Sequence, residues 1–87
     1  MNVEFSRHFL KLSKKLPTQE KQELSQKIEL FKKNPHDPHL KTHQLSGRLK
    51  GMWAFSLTYS KRVVFVYVTS NTALFVNVGT HDQTYRP

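Results

Sequence analysis

No cysteine occurs among the 87 residues, so disulfide staples and thiolate metal sites are excluded and nothing points to an oxidising compartment. No apolar run approaches the roughly 18–20 residues that cross a bilayer. The longest, Val63 to Val68, has the length of a buried strand. The start, Met1-Asn2-Val3-Glu4-Phe5, lacks the basic stretch and apolar run of a secretory signal. These absences lead to the expectation of a soluble, cytoplasmic protein. There is no internal repeat, low-complexity tract or long linker, and a chain of this length holds one core at most. One domain, 1–87, is expected.

Acidic residues are also scarce. Six Asp and Glu stand against fourteen Lys and Arg, for a net charge of +8. Such an excess favours a polyanionic partner, nucleic acid or an acidic protein segment, over a merely soluble basic surface.

The chain divides near Pro38. Phe5, Phe9, Leu12 and Leu16 fall at i, i+4, i+7 and i+11, one stripe of a helix capped by Ser6 and ended by Pro17. Asn2 to Glu4 suits a short edge strand. Thr18 offers a second N-cap, Glu20 an acid for the first turn, and Leu24, Ile28 and Phe31 a second stripe. Lys32 and Lys33 suit the C-terminal end, and Asn34-Pro35 stops it. The expected unit is an antiparallel helical hairpin.

Beyond Pro38 the period changes to two. Trp53, Phe55, Leu57 and Tyr59 alternate with Ala54, Ser56 and Thr58, as in a half-buried strand. Ser60-Lys61 turns the chain, Arg62 to Thr69 is the most buried strand, and Ser70 to Thr72 turns it again into Ala73 to Val78. His43 to Arg48 adds a shorter strand. The fold class expected is α+β, the helical hairpin packed on one face of a three- to four-stranded antiparallel sheet.

With one face covered, the other can hold a long anionic ligand. His43, Arg48, Lys50, Lys61, Arg62, His81, Tyr85 and Arg86 are the candidate groups on it or at its rim. RNA cleavage without metal needs a base for the ribose 2′-OH, an acid for the leaving 5′-oxygen and a cation for the phosphate. Histidine can be either acid or base near neutrality, and arginine matches phosphate oxygens with a planar fork. Tyrosine can donate a proton or stack on a base.

The string His43-Gln44-Leu45-Ser46-Gly47-Arg48-Leu49-Lys50-Gly51-Met52-Trp53 resembles the H-x-L-x-G-x-x-x-G segment of the YafQ-like branch of RelE/ParE-superfamily toxins. Arg62-Val63-Val64-Phe65-Val66-Tyr67 is similar to that family's central strand. Gly79-Thr80-His81-Asp82, with Tyr85 beyond, is similar to its C-terminal G-T-H end and closing aromatic. The resemblance spans Lys41 to Tyr85, about half the chain.

It implies a type II toxin that binds the ribosome and cuts mRNA there, held inactive by a cognate acidic antitoxin, with no cofactor or metal and no membrane. It further implies His43 and His81 as base and acid in an order left open, Tyr85 as the aromatic and Arg62 as the phosphate-stabilising cation. Arg48, Lys50, Lys61 and Arg86 are the expected RNA-binding residues. The sequence departs from the family between Trp53 and Lys61, where a further histidine and an Asp-Trp pair are usual and absent here. Lys50 or Lys61 would then substitute.

Competing readings stand beside these. In them His43 closes a strand end, His81 sits in an ordinary turn, Arg62 pairs with an acid and Tyr85 plugs the core. The stretch His36, Asp37, His39 and His43 contains zinc-type ligands, but prolines at 35 and 38 break any shared helical face, and a solvated loop is expected. At the level of function the alternatives are a non-enzymatic ParE-like toxin that poisons gyrase and an inactive domain that only binds antitoxin.

Overall fold

The computed structural model describes residues 1–85, without the Tyr85 side chain. Arg86, one of the expected RNA-binding residues, lies outside the described residues, as does Pro87. The elements are β1 (Asn2–Phe5), α1 (Arg7–Lys14), α2 (Thr18–Lys33), β2 (His43–Gln44), β3 (Trp53–Ser56), β4 (Lys61–Thr69), β5 (Thr72–Thr80) and α3 (His81–Tyr85). A short 3-10 turn at Gly47–Leu49 separates β2 from β3.

The sheet order is β1-β5-β4-β3-β2. All pairs are antiparallel except β1 with β5, which runs parallel with Val3 opposite Ala73. The α+β class is as the sequence implies, but the sheet is five-stranded and mixed. The difference arises at the N-terminus. Phe5 continues the helical spacing of Phe9 and Leu12, yet it belongs to β1, because Ser6 begins the helix. The Ser6 hydroxyl accepts the Phe9 amide at 3.0 Å, satisfying one of the donors a helix start leaves open.

Other boundaries also move. Pro17, not Thr18, precedes α2, with no side-chain cap. Thr18 is the first helical residue. The strand expected from His43 to Arg48 stops at Gln44, since Gly47 at φ 65 and Gly51 at φ 93 hold left-handed backbone that a strand cannot use. The alternation from Trp53 to Tyr59 outruns its strand, which ends at Ser56. The Leu57 and Thr58 amides both donate to the Lys61 carbonyl, so reversal begins before Ser60.

One layer of helices covers one face. Five phenylalanines are fully buried, Phe9, Phe31, Phe55, Phe65 and Phe75. Phe31 of α2 reaches from the helix layer into the strands, with ring centroids 4.9 Å from Phe65 and 5.1 Å from Phe75, both edge-to-face. Such pairs each contribute about 0.5–1.5 kcal/mol beyond area burial. Leu24, Leu40, Leu57, Val63 and Val78 fill the remainder. A second, smaller cluster of Leu45, Ala54 and Val64, with Leu49, Met52 and Val76 against it, lies apart from the main core. The opposite face is therefore partly roofed by the 45–52 segment rather than open throughout. Among the described residues no helix is long and apolar enough to cross a membrane.

Candidate active site

Directly opposed residues in an antiparallel pair share a face, and residues two apart along a strand do too. His43 opposes Ala54, and Ala54 opposes Val64, so His43 shares a face with the smaller cluster, away from the helices. Arg62, two residues before Val64, lies on that face opposite Ser56 and Gly79. His43 and Arg62 are thus separated by two strand spacings and one same-face step, about 10 Å across the sheet and about 7 Å along it.

His43 is held by the segment before it. Lys41 adopts φ 53, the left-handed conformation that costs a side-chain-bearing residue roughly 1–2 kcal/mol. Its carbonyl lies 3.0 Å from His43 Nδ1. A carbonyl can only accept, so Nδ1 carries the proton, and in the neutral ring Nε2 keeps its lone pair. The ring is exposed.

The glycine pair of the His43–Trp53 string folds the roof beside this histidine. The Leu45 amide donates to the Met52 carbonyl at 2.9 Å, closing the loop, while Leu49 and Met52 pack inward and Arg48 and Lys50 remain exposed. Gln44, Lys50 and the two glycines line a groove of about 410 Å³.

His81 opens α3, an element the sequence reading did not foresee. A reciprocal cap fixes it. The Thr80 hydroxyl accepts the Gln83 amide at 3.3 Å, and Gln83 Oε1 accepts the Thr80 amide at 2.9 Å. This is the S/T-x-x-E/Q capping box, legible in Thr80-His81-Asp82-Gln83. Gly79 permits the box. Its φ is 156, and a Cβ there would stand 2.7 Å from Gln83 Oε1. The His81 Nδ1 lies 3.9 Å from the Asp82 carboxylate. Because Gly79 pairs with Arg62, the sheet brings His81 and Arg62 to the same end of neighbouring strands, with His43 on β2, two strands from β4 and three from β5. Tyr85 ends α3, and its side chain lies outside the described residues.

Lys61 is a correction. It alternates with Arg62 and so faces the helices, where its Nζ meets Glu20 Oε1 at 2.6 Å. Both side chains are 23% exposed. Lys61 is therefore not on the face expected to bind RNA, and it cannot stand in for the histidine and acid missing between Trp53 and the central strand.

The histidine-rich loop does not converge on a point. His39 Nδ1 pairs with Asp37 Oδ1 at 2.9 Å, whereas His36 Nε2 lies 3.4 Å from the Tyr67 hydroxyl and its ring meets Trp53 edge-on. Among the described residues no three His, Cys, Asp or Glu groups are placed to hold a metal. The His39 amide, followed by its ring, holds the Asp37 carboxyl below the usual carboxylate range, and burial pushes the Tyr67 phenol up.

No family model matches the chain, and no curated protein matches it in sequence. Solved structures do match in shape. The YoeB/ParE toxin from Agrobacterium tumefaciens superposes with a TM-score of 0.78 at 16% identity, covering 93% of this chain and 99% of that one. YafQ from E. coli strain BL21(DE3) gives 0.76 at 21% identity, covering 98% of each chain. The heterotetrameric YoeB-YefM toxin-antitoxin complex from Staphylococcus aureus gives 0.74 at 16% identity, over 93% of this chain and 97% of that one. The chain has the fold of the YoeB/ParE and YafQ toxins.

Proposed function

We propose that this protein is the toxin of a type II toxin–antitoxin pair and that it cuts mRNA on the ribosome by metal-free acid–base chemistry. The observation that carries the reading is His43, its proton fixed on Nδ1 by the Lys41 carbonyl, on the same sheet face as Arg62. A neutral imidazole with a free Nε2 is a base. His43 removes the proton from a ribose 2′-OH, and the oxygen attacks the adjacent phosphorus. Arg62 stabilises the charge on the pentavalent phosphate. His81, close to the Asp82 carboxylate, is the acid that protonates the leaving 5′-oxygen. The products are a 2′,3′-cyclic phosphate and a 5′-hydroxyl.

Support also comes from fold likeness to toxins, of which YoeB and YafQ are solved in complex with their antitoxins. The +8 charge suits both RNA and an acidic antitoxin, which would cover the basic face by charge complementarity. Acting on translating ribosomes, the protein would work in the cytoplasm. Arg48 and Lys50, exposed on the roof beside His43, are assigned to the RNA backbone.

The test is incubation of the purified protein with programmed ribosomes in magnesium buffer, beside a control without the protein, followed by end-group analysis. Cleavage to 2′,3′-cyclic phosphate ends supports the reading. Intact mRNA, with DNA breaks trapped on gyrase, would replace it with the non-enzymatic ParE-like alternative.

A further inference from the structure

A cleft of about 490 Å³ lies between α2, the segment before β2 and the β3–β4 turn, lined by Lys27, His39, Lys41 and Tyr59, with Glu23 the acid on its wall. Tyr59 is wholly exposed, at 108% of its reference area, although a ring of that size normally gains by covering itself. The turn that carries it is not loose. Leu57 is buried at its base, the Thr58 hydroxyl accepts the Lys61 amide at 3.1 Å, and Lys61 is tied to Glu20. The ring therefore stands on a rigid support, and an occupant stacking on it would spend little entropy in ordering the turn.

One residue links the cleft to the candidate active site. Lys41 lines the cleft, and its carbonyl holds His43. A chain running past His43 would next meet Lys41, Lys27 and Tyr59. Ammonium groups beside an exposed aromatic face are the elements that hold single-stranded nucleic acid, phosphate on the cations and base on the ring. An acidic peptide would use the lysines but leave the ring face unused.

We propose that this cleft is a subsite for single-stranded RNA, in which a nucleobase stacks on Tyr59 and the neighbouring phosphate meets Lys27 and Lys41. The subsite deepens the ribonuclease reading and rests on it for its substrate. It would hold the strand next to the cut rather than perform chemistry.

The test measures anisotropy of a labelled single-stranded oligoadenylate on the full chain carrying His43→Ala, which keeps the RNA intact. Tyr59→Ala weakens binding about tenfold, in the range of one base–aromatic stack, while Tyr59→Phe keeps it. Lys27→Ala and Lys41→Ala each reduce the salt slope by about 0.7. A thermal melt shows whether the variants remain folded, as expected for side chains at the surface. Unchanged affinity in folded Tyr59→Ala overturns the proposal, as does a loss of antitoxin binding with RNA affinity intact. The two readings fail separately. A wild type that binds RNA through Tyr59 but never cuts mRNA sinks the nuclease and keeps the subsite; a wild type that cuts mRNA with Tyr59→Ala unaltered does the reverse.

Discussion

His43 Nδ1 donates to the backbone carbonyl of Lys41 at 3.0 Å, across a single intervening residue. The bond selects one tautomer of an exposed ring and leaves the lone pair of the neutral form on the other nitrogen. His43→Ala should lower mRNA cleavage about 10²–10⁴-fold, the usual worth of a positioned acid or base, with the melting temperature nearly unchanged. Single-turnover cleavage beside a thermal melt checks both halves. An equal loss of fold and activity would make the residue structural.

The reciprocal cap between Thr80 and Gln83 should matter beyond its own energy, because it sets the direction of His81. Thr80→Ala should cost about 1 kcal/mol and fray α3, so cleavage falls further than the loss of stability explains. Urea unfolding and cleavage measured on the same samples would separate the two effects.

Lys61 and Glu20, 2.6 Å apart and both mostly covered, should act as a stabilising pair. Their partial exposure places removal of one partner between the exposed and buried cases, about 1–2 kcal/mol. For a chain of this size that is a fall of about 4–16 °C in melting temperature. In a double-mutant cycle, additive losses from Lys61→Ala and Glu20→Ala would show that the pair contributes nothing.

Phe31 has no exposed surface and touches Phe55, Phe65 and Phe75. Phe31→Ala should cost about 3–5 kcal/mol, much of the about 4–13 kcal/mol available to 87 residues. Circular dichroism in urea would show a midpoint near zero denaturant or no folded baseline.

The Asp37 carboxyl is held low by the His39 amide and ring. Its folded pKa lies below the unfolded one, so the stability it gives the 34–42 loop is present above the unfolded carboxylate value and lost as pH falls through the lowered one. The protection factor of the His39 amide, its exchange rate taken against the intrinsic rate at each pH, should fall on acidification in the wild type. Asp37→Asn should remove that dependence.

Much of the layout was legible because it rests on periodicity. The stripes Phe9-Leu12 and Leu24-Ile28-Phe31, and the apolar run of β4, needed only spacing to place them. The parallel pairing of β1 was hidden because Phe5 satisfies a helical stripe as well as a strand, and only the Ser6 cap decides between them. The α3 helix was written locally in Thr80-His81-Asp82-Gln83, though one turn is too short for periodicity to reveal. Lys61 could not be assigned from sequence, since a shift of one residue moves a strand side chain to the other face. Tyr59 continued an alternation whose strand had already ended, so its exposure depended on a turn closed by Leu57, Thr58 and Lys61.

Induction of wild type and His81→Ala in a bacterium, with growth followed and mRNA ends mapped by primer extension, tests the ribonuclease in the cell. Arrest with in-frame mRNA cuts is expected from the wild type, and neither from His81→Ala at equal protein level. Arrest by both proteins without mRNA cuts would contradict the ribonuclease reading and leave His81 as the first residue of a capped helix.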